Sequence, residues 1–149
     1  ESMEIITDAL DVDPVAINSN LVSAQNRYRL YWTNLEVDGL PQDKGIKLKD
    51  IIEDSFLTDR DKSHCLDANY FKGGNLKSYF EKHRRQLVFS VNGEWRKLTP
   101  LECERLQTVP EGYTNHVSNT QRYKMLGNGW TIDVITHLLK ERINNADQV

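Results

Sequence analysis

Cysteine is scarce in this sequence: Cys65 and Cys103 are the only two among 149 residues. Two cysteines do not provide the disulfide framework of a small secreted protein, and they fit a chain that folds in a reducing cytoplasm. The sequence also lacks an apolar run as long as a membrane span and a basic-then-apolar signal at its N-terminus. His64 adjoins Cys65, but no second pair of metal ligands accompanies them, so no metal site is expected.

The composition, with 38% hydrophobic and 28% charged residues, is typical of one soluble globular domain. A net charge of −3 at first counts against a nucleic-acid partner. The segment 72–97, however, holds seven basic residues against two acidic ones, and such a local concentration matters more for phosphate binding than the total. A solvated charged face explains the charge alone equally well. The cations of this basic stripe are Lys72, Lys77, Lys82, Arg84, Arg85, Arg96 and Lys97.

The first third of the chain predicts a helix and two strands. Apolar residues at helical spacing predict a helix over the first ten residues, which Asp11–Pro14 ends. Val15–Ile17 is a short apolar run that suits a buried strand. In residues 25–34 the alternation predicts a strand on which Arg27 and Arg29 point the same way, about 7 Å apart. That spacing suits a phosphate or a base edge.

Amphipathic spacing, turn residues and capping residues predict the remaining elements. They are a helix over 48–56, a hairpin of strands 87–91 and 95–98, and helices that begin near 99, 118 and 132. Gly127 is expected to end the helix that begins at Ser118, since glycine is common just after a helix. The apolar face of the last helix is expected to consist of Ile132, Ile135, Leu138, Leu139 and Ile143.

Three stretches, in this order, resemble the last three signature blocks of the cytosine-5 DNA methyltransferase family. Residues 25–32 are similar to the Gln-x-Arg-x-Arg strand of the eighth block, residues 96–107 to the ninth, and the Gly-Asn-Gly-Trp at 127–130 to the tenth. Three ordered blocks with a variable region between the first two are far more specific than one motif. Residues 113–119 and Trp130 are most similar to the de novo vertebrate enzymes and their phage and bacterial relatives.

The resemblance implies an α/β fold: part of a Rossmann-like methyltransferase domain, represented by its last strands and C-terminal helix, with a small mixed α/β target-recognition region. It divides the chain into three parts. Residues 1–35 would end the catalytic domain, residues 36–117 would form the target-recognition domain including the ninth block, and residues 118–149 would return to the catalytic domain. It further implies a cytoplasmic protein that is bacterial or phage-encoded, in a restriction-modification or phage setting.

The family's reaction begins when a cytosine is flipped out of double-stranded DNA. A cysteine thiolate then attacks carbon-6, and carbon-5 takes a methyl group from S-adenosyl-L-methionine. By this resemblance Arg29 is the assisting catalytic residue that contacts the cytosine, and Arg27 serves the neighbouring backbone or pocket, with Gln25 beside them in the DNA-binding set. An arginine is suitable because its planar fork keeps its direction and its proton. Without the flanking residues, a surface arginine pair would be the favoured interpretation.

The remaining site residues follow from the tenth block and the basic stripe. Asn128, Gly129 and Trp130 are expected to close one side of the S-adenosyl-L-methionine pocket. A helix stop followed by a core tryptophan is the alternative for that block. Arg96 is expected to tie the recognition region to the rest of the fold, and the aromatic residues at 70, 71, 79 and 80 are expected mainly in the core. The predicted DNA contacts of the stripe are Lys72, Lys77, Lys82, Arg84 and Arg85.

The sequence contains no Phe-x-Gly-x-Gly turn, no Pro-Cys loop and no Glu-Asn-Val segment, all of which the family's reaction needs. Cys103 lies in the ninth block on a predicted helix, so it is not expected to be the nucleophile. We therefore expect this chain to be inactive alone and to bind the cofactor only with an N-terminal catalytic half, from the same or a separate chain. Unpaired edges of the early strands would invite a homodimer. A non-catalytic DNA-binding or regulatory module is the alternative function.

Overall fold

The computed structural model describes residues 2–146. Five helices and two antiparallel strand pairs are joined by long connections that contain short 3-10 turns. The bounds are α1 Ser2–Leu10, β1 Pro14–Asn18, β2 Tyr28–Trp32, α2 Leu76–Lys82, β3 Leu87–Phe89, β4 Trp95–Lys97, α3 Pro100–Leu106, α4 Asn119–Asn128 and α5 Ile132–Ala146. Within residues 2–146 no helix is both long and apolar enough to cross a membrane.

The early strands β1 and β2 pair with each other. Their register places Ile17 opposite Arg29 and Pro14 opposite Trp32. The connection between them is closed by Asn18, whose side-chain oxygen accepts hydrogen bonds from the backbone N–H groups of Asn20 and Arg27. The sequence suggested that these strands would have unpaired edges. The structure corrects this in part, because β1 and β2 pair with each other and only the outer edges of the pair are open.

Two apolar cores organise the molecule. The smaller core joins β1 to α5 through Ile17, Val22, Val134 and Leu138. The larger core joins the predicted recognition region to α3 and α4, and α4 contributes to it through two buried side chains. The domain boundary predicted between residues 117 and 118 therefore runs through one core. The buried members of the larger core are Ala24, Leu48, Ile51, Leu66, Tyr70, Val88, Leu98, Cys103, Leu106, Tyr123 and Leu126.

The helix starts follow the predicted capping signals. Thr99 caps α3 with its side chain, Pro100 occupies the first turn, and the Glu102 side chain accepts from the Thr99 N–H. Ser118 caps α4 by accepting a hydrogen bond from the backbone of Gln121. Both capping predictions are confirmed. Capping can be read from the sequence because it depends on a few neighbouring residues.

Two helix predictions were wrong, and a third was right only in part. The segment 48–56 forms only a 3-10 turn at Leu48–Ile51. Gly127 lies inside α4, where it lets the helix pack against the backbone of the segment at Asp67. In the predicted apolar face of α5, Leu138 is buried and Ile135 packs against the smaller core, whereas Ile132, Leu139 and Ile143 are exposed. Val134 is buried in their place, because α5 meets the strand pair along a different line.

The hairpin β3–β4 agrees with the sequence in kind but is shorter. It pairs Val88 with Arg96, and its turn contains Gly93 with a φ of 82°. Phe89 is also bridged to Leu57, so the hairpin is tied to the connection that precedes it.

Candidate functional site

A cleft of about 480 Å³ opens between β2, the end of α4 and the start of α5. Arg27 and Arg29 line one side of it, and Asn128 and Trp130 line another. The structure therefore brings the predicted arginine pair and the predicted cofactor turn to one place, although 98 or more residues separate them in the chain. The apolar walls of the cleft come from Leu30, Trp32, Ile135, Leu138 and Leu139.

Arg29 is the arginine that remains available to a ligand. Its side chain is exposed on β2, where Nη1 donates to the carbonyl of Tyr28 at 2.8 Å and Nη2 lies 3.5 Å from the Cys65 Sγ. These two contacts direct the guanidinium but leave other N–H donors free, since the group carries five. Arg29 can therefore donate to an acceptor in the cleft.

Arg27 serves the neighbouring backbone. It is only 6% exposed, and it donates to the carbonyls of Leu66 at 2.7 Å, Gly127 at 3.1 Å and Gly129 at 2.9 Å. Hydrogen bonds from a charged donor to buried carbonyls contribute about 1.5–3 kcal/mol each. The guanidinium is buried and engaged, so it is not placed for the predicted DNA contact, and its expected role toward the neighbouring backbone or pocket stays a prediction.

Gln25 does not contact DNA in this fold, which corrects another prediction. It is fully buried, and Nε2 donates to the Leu106 carbonyl at 2.8 Å and to the Gln107 Oε1 at 2.9 Å. Its oxygen accepts from the backbone N–H of Leu66 at 3.3 Å. The buried amide is thus consumed by protein partners, as buried polar groups generally are.

Gln107 is a positioning residue that we did not predict. Its Nε2 donates to the carbonyls of Leu126 at 2.5 Å and Gly129 at 3.2 Å, while its Oε1 also accepts from the Thr131 hydroxyl at 3.0 Å. The Gly129 carbonyl is therefore held by both Arg27 and Gln107. Its position at the end of the ninth-block stretch is the one sequence signal that points to it.

The turn after α4 presents a tryptophan to the cleft. Asn128 ends the helix with an exposed side chain, and the Gly129 N–H donates to the Met125 carbonyl at 2.8 Å. Trp130 is 64% exposed, which contradicts the alternative of a core tryptophan. The indole also borders a second, mainly apolar pocket of about 170 Å³ beside Tyr113 and Met125.

Burial raises the pKa of both Tyr31 and Cys103. Burial raises the pKa of Tyr31 beside the cleft, and the positive charges of Arg27 and Arg29 partly oppose that change. Cys103 is fully buried in α3, and burial raises the pKa of its thiol well above the ordinary value. A thiol buried in this way is not placed to act as a nucleophile.

The basic stripe separates into free and structural cations. Arg85 is half-buried and donates to the Gly73 carbonyl at 3.1 Å, so it anchors its own connection instead of offering itself to DNA as predicted. Arg96 binds Glu102 and Asp54, with Nη2 to carboxylate distances of 2.8 and 2.9 Å, and ties the region to α3 as expected. Four stripe cations are exposed: Lys72, Lys77, Lys82 and Arg84.

The aromatic residues among these cations are mostly structural. Tyr70 and Tyr79 are buried, and Phe71 packs against the larger core. Phe80 is 57% exposed, so it departs from the core assignment. Within residues 2–146 no group of three or more His, Cys, Asp or Glu side chains is placed to hold a metal ion.

Comparison with known proteins decides the family. A family model described as C-5 cytosine-specific DNA methylase matches residues 16–144. The chain belongs to the C-5 cytosine-specific DNA methylase family. It is 41% identical over 93 residues to the Type II methyltransferase M2.ScrFI of Lactococcus lactis subsp. cremoris. This alignment covers 55% of this chain and 25% of that relative. With the Type II methyltransferase M.HhaI of Haemophilus parahaemolyticus, 42% identity extends over 50 residues, 34% of this chain and 15% of the relative.

Solved structures agree on the fold. The Dnmt2 methyltransferase of S. pombe superposes with a TM-score of 0.57 at 17% identity, over 90% of this chain and 57% of that one. The methyltransferase EhMeth of Entamoeba histolytica gives 0.59 at 13% identity, over 93% and 58% of the two chains. The expected α/β fold, part of a Rossmann-like methyltransferase, is thereby confirmed. The chain spans a quarter or less of these two curated relatives and under two thirds of these solved chains.

Proposed function

We propose that this chain supplies three parts of an S-adenosyl-L-methionine-dependent DNA cytosine-5 methyltransferase: the contact to a flipped cytosine, DNA target recognition, and one wall of the cofactor pocket. One observation carries the proposal. An available arginine and an exposed asparagine–tryptophan turn border the same cleft. A reaction between a base and a cofactor requires their binding groups to converge in this way.

Arg29 is the residue proposed to contact the cytosine. Attack on the ring places negative charge toward the carbonyl oxygen, and a fixed cation that donates hydrogen bonds stabilises such charge. The contacts of Arg29 with Tyr28 and Cys65 hold the guanidinium at the edge of the cleft before a base arrives. A cation held in advance needs little rearrangement when charge develops.

Asn128 and Trp130 are proposed to hold the cofactor from one side. An exposed indole can cover an apolar or positively charged part of a ligand, and the amide of Asn128 offers both a donor and an acceptor. Two buried donors fix the Gly129 carbonyl between them, so the turn is held in place from below. The residues present thus fit one wall of such a pocket. When bound, S-adenosyl-L-methionine supplies the methyl group. The proposed closeness to the de novo vertebrate enzymes rests on the sequence of residues 113–119 and on Trp130.

The nucleophile is proposed to come from a segment that carries a Pro-Cys loop, either in the same polypeptide or in a separate chain. Cys103 is buried, and Cys65 follows a histidine in a half-buried connection. The share of the curated relatives that this chain spans is consistent with such a division of labour.

The test uses the purified chain with double-stranded DNA and labelled S-adenosyl-L-methionine. We expect salt-sensitive DNA binding, because exposed lysines displace counterions from phosphates, and no transfer of label. Transfer of label by the chain alone would contradict the proposed division. Adding a segment with the Pro-Cys and Phe-x-Gly-x-Gly motifs should produce activity.

Arg29→Ala should remove that restored activity and leave salt-sensitive binding in place, since most of the binding free energy comes from phosphate contacts. Arg29→Lys is the matched control, because it keeps the charge and loses the planar fork. Binding to DNA without activity after addition of the segment would instead favour a non-catalytic DNA-binding module.

A further inference from the structure

The connection between α2 and β3 contains two residues with unusual backbone conformations. His83 has a φ of 48° and Arg85 a φ of 58°, and neither is a glycine. Side chains rarely adopt this left-handed region, because their Cβ crowds the following carbonyl. Such conformations persist only where the surrounding structure enforces them, and they concentrate at functional sites.

Both ends of the connection are fixed. The N–H of His83 donates to the Tyr79 carbonyl at 3.1 Å, which ends α2. At the other end the buried Gln86 amide donates to the Tyr79 hydroxyl and to the Leu87 carbonyl, both at 2.8 Å, and its oxygen accepts from the His64 N–H at 3.2 Å. The strain is therefore held by the recognition region itself.

Arg84 is the residue that this connection presents. It is exposed, and it forms no hydrogen bond or ion pair with any of residues 2–146. By contrast, Arg96 and Arg122 are each ion-paired to a fully buried glutamate. A backbone fixed on both sides thus carries a guanidinium that has no structural partner in the described part of the chain.

The connection packs near the segment that contacts Arg29. The ring centroids of His83 and His64 are 6.3 Å apart. His64 directly precedes Cys65, whose Sγ is 3.5 Å from the Nη2 of Arg29. One short segment therefore links the proposed cytosine contact to the strained connection.

We propose that the His83–Arg84 connection recognises a base pair next to the target cytosine and that Arg84 specifies guanine there. This inference rests on the proposed function, since it assumes that the cleft receives a cytosine from duplex DNA. Arginine donates two parallel hydrogen bonds to the O6 and N7 acceptors of guanine in the major groove. A fixed backbone suits that contact, because less freedom is lost on binding. The exposed lysines of α2, with long flexible side chains, suit phosphates.

The test is selection by the purified chain from duplexes that share a central cytosine and have randomised flanking positions. Wild type should enrich guanine at one flanking position. Arg84→Ala and Arg84→Lys should both lower that preference about tenfold, equivalent to about 1.4 kcal/mol. Loss with lysine is the informative result, because lysine keeps the charge and cannot form the paired contact.

Lys82→Ala is the matched control, an exposed cation two positions earlier on α2. It should weaken binding to all sequences equally and reduce the slope of affinity against salt by about one, without altering the guanine preference. His83→Gly should keep its melting temperature, because glycine adopts the left-handed region without strain, and should lose part of the preference.

Three results would overturn the inference. Wild type could bind DNA and enrich no flanking guanine; Arg84→Lys could retain the preference while Arg84→Ala weakens all sequences equally; or His83→Gly could keep the full preference. Each leaves the proposed function standing, because salt-sensitive binding persists. Absence of salt-sensitive binding by wild type would instead contradict the proposed function, and this inference with it.

Discussion

Gly127→Ala is the substitution that most directly tests how the proposed cofactor turn, Asn128–Trp130, is positioned. A Cβ at residue 127 would lie 2.3 Å from the carbonyl carbon and oxygen of Asp67 and 2.5 Å from the nitrogen of Ala68. Ordinary van der Waals contact begins at 3.4 Å, so α4 and the facing segment would have to separate by about 1 Å. Both surfaces are backbone, and no side chain can rotate away.

Three contributions, one favourable and two unfavourable, set the size of the stability change in this variant. Alanine in place of glycine inside a helix is favourable by about 1 kcal/mol. Overpacking of a close contact costs about 1–3 kcal/mol, and the upper end applies where backbone must move. The separation would also stretch the 3.1 Å hydrogen bond from Arg27 to the Gly127 carbonyl, which is worth about 1.5 kcal/mol or more. We expect a net loss of about 2–3 kcal/mol in the free energy of unfolding, or roughly 4–12 °C in melting temperature.

Thermal unfolding followed by circular dichroism is the assay, and Gly74→Ala is the control. A Cβ at Gly74 would meet Arg85 and Leu87 at 3.7–3.8 Å, which is ordinary contact, and its φ lies outside the left-handed region. The control should be neutral or stabilised by up to about 1 kcal/mol. A Gly127→Ala protein as stable as wild type would refute the close contact of Gly127 with the backbone of Asp67. The interpretation of Gly127 as a helix stop would then be favoured again.

Three further predictions concern buried polar groups. Gln25→Leu should destabilise the chain by about 2 kcal/mol, because the Leu66 N–H and the Leu106 carbonyl lose a buried partner. It should leave the DNA affinity of the folded protein unchanged. Weaker DNA binding at unaltered stability in urea would show that Gln25 contacts DNA after all. Glu102→Ala should lower the free energy of unfolding by about 3–5 kcal/mol, because Arg96 loses its buried partner. Glu111→Ala breaks an exposed pair and should lower it by under about 1 kcal/mol in the same urea denaturation assay. Burial alone would raise the pKa of Glu104, but hydrogen bonds from Thr114, Gly112 and Arg122 hold it below the ordinary 4.5, so its stabilisation is complete above that pH and declines as the pH falls below it. Glu104→Gln should therefore be less stable than wild type at neutral pH, with a difference that shrinks on acidification; a difference independent of pH would contradict this.

Local signals in the sequence were sufficient for the features that a few neighbouring residues determine. The capping of α3 by Thr99 and the turn at Gly93 follow from side chains within one turn of the chain. The alternation in β2 likewise predicted an extended strand. It did not predict depth, because the burial of Arg27 depends on Leu66 and Gly129, which come from distant parts of the chain. The same limitation explains Gly127: a glycine near a helix end has one local meaning, and its contact with Asp67 arises only in the folded molecule.

The positions of these distant partners explain why the arginine pair divides its work. Gln25 and Arg27 together hold Leu66 by its N–H and its carbonyl, and Arg27 also holds the turn that carries Trp130. A buried side chain that is bound in this way cannot also follow a substrate, since its hydrogen bonds would have to break first. Arg29, two residues further along the strand, is exposed and does not hold these distant backbone groups. The cleft thus has one arginine that fixes its walls and one that remains free to contact a ligand.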